Sequence, residues 1–117
     1  MGSVKLSLIV LKTRQVDALR KFYRSLWIEL IMEQHGNGPV HFAGQIGEVL
    51  LEVYPLPNEG TPTDTSTRLG FTVANMNKVI EKLKDLETTV VSEPQASQWG
   101  MRAVVRDPDG RAVEIYQ

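Results

Sequence analysis

Apolar and polar positions alternate along this chain in two rhythms, and the same succession of rhythms occurs twice. Leu6 to Leu11 is a short run of branched apolar residues followed by Lys12-Thr13-Arg14-Gln15, which predicts a buried strand entering a turn. Val16, Leu19, Phe22, Tyr23 and Leu26 then recur at three- and four-residue spacing, with Asp17, Arg20, Lys21 and Arg24 between them, the stripe of a helix laid on a sheet. Ile28 to Glu33 and Val40 to Ala43 read as antiparallel strands joined at Gly36-Asn37-Gly38, where glycine and asparagine tolerate positive φ. Val49 to Tyr54 is a fourth strand.

Residues 55–66 hold three prolines and almost nothing apolar, so they predict a connection. The pattern then restarts. Leu69, Phe71 and Val73 alternate with polar or small residues as in a half-buried strand. Asn75 is a favourable N-cap for a helix with the stripe Met76, Val79, Ile80, Leu83 and Leu86. Val90-Val91, Met101 to Val105 and Ala112 to Tyr116 complete a second set of strands, with Asp107-Pro108-Asp109-Gly110 as a turn before the last. The helices align Val16 on Met76, Leu19 on Val79, Tyr23 on Leu83 and Leu26 on Leu86. The expected fold is therefore α+β: paired βαβββ modules, residues 4–54 and 67–117, joined by the linker 55–66 into a single domain of curved mixed sheets around a cleft. One helix covers one face of each sheet, and the other face must meet a partner or a ligand.

Composition narrows the function. The 117 residues suffice for one core, burying roughly two-thirds of the unfolded surface. With 13 Lys+Arg against 14 Asp+Glu, no basic excess exists for a phosphate backbone or an anionic membrane surface, so neither nucleic acid nor membrane is an expected partner. Cysteine is absent, which removes thiol nucleophiles, thiolate metal sites and disulfides. No signal-peptide pattern or membrane-length apolar stretch is visible, and the expected location is cytoplasmic.

Candidate chemistry begins with the echo of Leu50-Leu51-Glu52-Val53-Tyr54 in Ala112-Val113-Glu114-Ile115-Tyr116. A glutamate among apolar strand residues is costly to bury without a partner, and here it stands at the equivalent place in both copies. If Leu51, Val53, Leu69, Phe71, Val113 and Ile115 face the helices, then Glu52, Tyr54, Arg68, Gly70, Thr72, Glu114 and Tyr116 face the other way.

The paired modules, the Phe22-Tyr23 of the first helix and the ending Asp107-Pro108-Asp109-Gly110-Arg111-Ala112-Val113-Glu114-Ile115-Tyr116 resemble the vicinal oxygen chelate superfamily of glyoxalase I, bleomycin-resistance proteins and extradiol dioxygenases, from about residue 4 to the C-terminus. Metal-dependent members of that superfamily hold a divalent ion with a residue from the first strand and one from the last strand of each module. The resemblance places those positions on Leu8 (Ser7 if the register slips by one), Glu52, Arg68 and Glu114. Leu has no donor atom and guanidinium offers no lone pair, so the inherited site lacks its nitrogen ligands and no metal or other cofactor is expected there. Instead, Arg68 is expected to stand where a metal would hold Glu52 and Glu114 together, favouring both anions. The alternative is that the same three residues form an ion-pair network satisfied without any ligand.

Small-molecule binding in a cleft without the usual metal, a metal-dependent lyase, isomerase or dioxygenase with altered ligands, and a non-catalytic dimerisation domain all fit this resemblance. A homodimer is the family habit. The catalytic candidates are Glu52, Glu114 and His41, and the ligand-binding candidates are Arg68, Glu52, Glu114, Tyr54, His41 and Trp99. His41 alternates with Val40 and Phe42. If those two pack inward, His41 turns to the cleft side and meets Glu52 as an acid–base pair or half of a displaced metal site, the other reading being a histidine hydrogen-bonded at the sheet surface. His35 reads as a solvent-facing turn residue. Trp99 either stacks on a flat ligand or packs at a sheet edge, and Tyr116 is a cleft wall or an exposed strand end. Trp27 stands after Leu26, where the family usually has a helix-ending glycine. It either accepts positive φ, ends the helix differently, or marks a subunit contact.

Overall fold

The computed structural model describes residues 2–57 and 60–117. The chain forms two compact units, one ending at Pro62 and the other starting at Thr63. In the first, β1 (Leu8–Thr13), α1 (Val16–Ser25), β2 (Ile31–Glu33), β3 (His41–Ile46) and β4 (Val49–Pro55) make a four-stranded sheet of order β1-β4-β3-β2. In the second, β5 (Leu69–Thr72), α2 (Met76–Asp85), β6 (Val90–Ser97), β7 (Gly100–Arg106) and β8 (Ala112–Tyr116) repeat it as β5-β8-β7-β6. The helix-linked outer strand runs parallel to the last strand in both, and the remaining neighbours are antiparallel. That mixture follows from the connections, because a hairpin reverses the chain whereas a helical crossover restores its direction. The α+β class with two mixed sheets is as the sequence predicts.

The apolar stripes close each core. Leu19, Phe22 and Tyr23 of α1 are buried with Leu51 and Val53 of β4, and Val79 and Leu83 of α2 are buried in the unit that buries Val113 and Ile115 of β8. Asn75 caps α2 as expected, its side chain accepting the Lys78 N–H at 3.1 Å.

Both helices end in one way. Ile28 N–H reaches Tyr23 O and Trp27 N–H reaches Arg24 O, while Thr88 N–H reaches Leu83 O and Glu87 N–H reaches Lys84 O. These are Schellman closures, which place the residue after the C-cap in the left-handed region. Trp27 (φ 67°) and Glu87 (φ 59°) occupy it without being glycine, so Trp27 takes the strained alternative.

Several boundaries differ from the sequence expectation. β1 starts two residues late and continues to Thr13, because its ladder with β4 begins where Leu50 N–H bonds Ser7 O. Of Ile28 to Glu33 only Ile31–Glu33 is strand. Ile28 and Leu30 are buried, and the Glu29 carbonyl passes over Gly44, where any Cβ would lie 2.4 Å from it. Val40 does not pack inward but is exposed, since it precedes the first rung between Glu33 and His41. β6 extends from Val90 to Ser97 through Pro94. As an edge strand with two register shifts it tolerates the missing N–H.

Candidate functional site

The last strand of each module carries a glutamate and a tyrosine two residues apart, and strand alternation sends both away from the helix face where Leu51, Val53, Val113 and Ile115 are buried. Each glutamate meets its partners within its own module.

In the second module, the antiparallel ladder sets Arg102 opposite Tyr116 and Val104 opposite Glu114, so Arg102, Glu114 and Tyr116 share one face. Glu114 Oε1 accepts from Arg102 Nε at 2.8 Å and from the Tyr116 hydroxyl at 2.7 Å, with Arg102 Nη2 also 2.7 Å away. Arg68 Nε lies 2.7 Å from the other oxygen, Oε2. Gly70 stands beside Glu114 on β5, and a Cβ there would press on Tyr116 Cε2 at 3.2 Å, so the missing side chain leaves room for the ring. The Tyr116 hydroxyl and the Arg102 guanidinium hold the Glu114 carboxyl below the usual glutamate range, against the opposing effect of burial. Two guanidiniums against one carboxylate leave this cluster with one formal positive charge. Thr72, Trp99 and Tyr116 line an open recess of about 340 Å³ on this module, with Trp99 exposed.

In the first module, Glu33 pairs with His41 across β2 and β3, and Ala43 pairs with Glu52 across β3 and β4. Glu33, His41 and Glu52 therefore share a face. His41 is buried, and its ring stacks on Tyr54 with centroids 4.1 Å apart and planes at 8°. Its Nδ1 is 3.1 Å from the Pro39 carbonyl. Its Nε2 lies 3.3 Å from Glu33 Oε1 and 3.5 Å from Glu52 Oε2, without hydrogen-bond geometry to either. His35, exposed as expected, nonetheless brings its Nε2 to 3.6 Å from Glu33 Oε1 and its ring to 5.2 Å from that of His41. The ligand atoms of Glu33, His35, His41 and Glu52 all lie within 4.8 Å of one another, a group able to hold a metal ion. Burial, followed by the charges of Glu52 and Glu33, raises the Tyr54 hydroxyl above its ordinary range.

His41 thus meets Glu52 although Val40 is exposed, and Arg68 meets Glu114. Arg102, Glu33 and His35 are the participants missed by sequence reasoning, and a signal for the first two existed. A hairpin centred on Asn37 sets Glu33 opposite His41, and one centred on Asp109 sets Arg102 opposite Tyr116. By register His41 and Arg102 hold equivalent places, each on the third strand beside the glutamate of the fourth.

At the positions where the superfamily resemblance puts metal ligands, the donor chemistry does not fit a divalent ion. Leu8 is half-exposed hydrocarbon, Arg68 is a cation, and Glu114 has both oxygens engaged by guanidinium and phenol groups.

A model of the glyoxalase-like domain matches residues 6–117. Among curated proteins nothing matches the chain. Solved structures share the fold. TnmS3, an antibiotic binding protein from Streptomyces sp. CB03234, is 20% identical with a TM-score of 0.75, over 100% of this chain and 98% of that one. The virulence protein STM3117 from Salmonella typhimurium is 21% identical with a TM-score of 0.71, over 100% of both chains. TioX from Micromonospora sp. ML1 is 18% identical with a TM-score of 0.70, over 96% of this chain and 97% of that one. With its helix-linked parallel strands, its Asp-Pro-Asp-Gly turn and a domain match along nearly all of its length, the chain belongs to the glyoxalase-like domain family of the vicinal oxygen chelate superfamily.

Proposed function

We propose that this protein binds a flat aromatic small molecule carrying an anionic or strongly accepting oxygen, and that it does so without a metal at the family's positions. The recess beside the Arg68–Glu114–Arg102 cluster carries this reading. Its volume of about 340 Å³ lies within the range of small-molecule sites, roughly 300–1,000 Å³. Trp99 and Tyr116 offer ring surfaces for stacking, Thr72 offers a hydroxyl, and the excess cation of the neighbouring cluster favours a negative ligand group. The likeness to an antibiotic binding protein of the same fold supports a sequestering role for such a recess. A homodimer, the habit of the superfamily, belongs to the same proposal, and light scattering should return twice the chain mass.

The test is a thermal-shift screen of aromatic carboxylates and polycyclic antibiotics, followed by Trp99 fluorescence in a Trp27→Phe background, where Trp99 is the sole indole. A ligand at one hundred times its Kd stabilises the folded state by about 2.7 kcal/mol. Hits should raise Tm by several degrees, quench Trp99, and lose at least about tenfold in affinity in Trp99→Ala and Arg102→Ala, a loss of about 1.4 kcal/mol. A panel without hits, or hits that bind Trp99→Ala as well as the parent, would overturn the reading.

A further inference from the structure

We infer that the first module holds a divalent first-row transition-metal ion between Glu33, His35, His41 and Glu52. Of the positions that the superfamily resemblance designates, only Glu52 takes part. The inference stands independently of the aromatic-ligand recess, because its four residues all belong to the other module.

The hydrogen bonding of His41 points to the ion. The Pro39 carbonyl can only accept, so the 3.1 Å contact puts the proton of a neutral imidazole on Nδ1. Nε2 then presents a lone pair, and it faces two carboxylate oxygens at 3.3 and 3.5 Å. The side chain is 1% exposed and Nε2 has no hydrogen-bond partner, so its lone pair and two carboxylate oxygens converge on one point. A cation at that point satisfies all of them. A backbone carbonyl that fixes the tautomer from the far ring nitrogen is the usual support behind a metal-binding histidine.

The spacing fits as well. Metal–ligand bonds of about 2.0–2.1 Å in a tetrahedral site put neighbouring donor atoms about 3.3–3.4 Å apart. The observed contacts are 3.3 Å for His41 to Glu33, 3.5 Å for His41 to Glu52 and 3.6 Å for His35 to Glu33. The wider separations, all within 4.8 Å, close by movement of exposed side chains, since His35 sits beside the Gly36-Asn37-Gly38 turn and Glu33 is partly exposed. Two imidazoles with two carboxylates select zinc, nickel, cobalt or iron over magnesium and calcium, which prefer oxygen alone. Tyr54 stacked on His41 fixes the buried ligand, while His35 closes the solvent side.

Chelator-stripped protein titrated with Co²⁺ tests this, read by visible d–d absorption, with Zn²⁺ then added as competitor and a Mg²⁺ titration alongside. One equivalent of Co²⁺ should bind with the intense bands of a tetrahedral ion, Zn²⁺ should displace it, and Mg²⁺ should have no effect. His35→Ala and Glu33→Gln, both at exposed positions, should weaken binding beyond the roughly 10–100-fold that loss of an outer-shell partner costs. His41→Ala should abolish it in protein whose circular dichroism is unchanged. Glu114→Gln should leave the spectrum as it is. Absence of a saturable spectrum, binding by His35→Ala and Glu33→Gln equal to the parent, or loss of the ion in Glu114→Gln would each overturn the proposal. In the first case the cluster holds no ion, in the second the ion is held without Glu33 and His35, and in the last it sits at the family's positions.

Discussion

A glutamate on a strand otherwise built of apolar residues and a tyrosine is stable only through its partners, and the two here are satisfied differently. Glu114 is surrounded by donors, whereas Glu52 shares its space with Glu33 and two histidines. The depressed pKa of Glu114 has a definite sign for stability. The folded state binds the Glu114 proton less readily than the unfolded chain, so the contribution is complete above the ordinary glutamate range and is lost as pH falls through the folded value. Thermal melts of Glu114→Gln should accordingly show a flatter fall of Tm between pH 5 and about pH 2 than the parent. Since the Tyr116 hydroxyl is the largest cause of the depression, Tyr116→Phe should move the Glu114 carboxyl upward in a carbon-detected NMR titration. An unmoved carboxyl would show that Arg102 and Arg68 suffice without it.

Elements were legible wherever one period dominated. Both helices, the Asn75 cap and the strand Ala112–Tyr116 fall where the apolar spacing puts them. Legibility failed at edges, because ladder partners rather than propensity decide where an edge strand ends. Ile28 and Leu30 are apolar and buried yet lie outside β2, and Pro94 sits inside β6 because bulges spare its missing N–H. The shared Schellman closure yields a prediction. A left-handed residue with a side chain costs roughly 1–2 kcal/mol, so Glu87→Gly, at an exposed position, should stabilise the protein by about 1 kcal/mol in urea unfolding. Asn75→Ala should destabilise it by about 1 kcal/mol, through loss of the Lys78 N–H acceptor. Leu51→Ala removes a side chain with no exposed surface from β4 and should cost about 2–5 kcal/mol.

At the scale of the molecule, one βαβββ plan appears twice with different chemistry on the corresponding strands: His41 beside Glu52, Arg102 beside Glu114. The residues of one cluster belong to the first module and those of the other to the second, so variants should act separately. His41→Ala should leave aromatic-ligand affinity intact, and Trp99→Ala should leave Co²⁺ binding intact, as calorimetry of each variant would read. No helix among the described residues is long and apolar enough to cross a membrane. By itself the sequence determined the repeat, the fold class and the outward face of Glu52, Tyr54, Glu114 and Tyr116, because period and internal symmetry are local properties of the chain. It also disclosed that Leu8 and Arg68 are not metal donors, since that follows from atom type alone. Only tertiary structure decided that Glu33 and His35 gather around a buried His41 and that Arg102 joins Arg68 on Glu114. Those meetings depend on hairpin register and rotamer, where a slip of one residue sends every side chain to the opposite face.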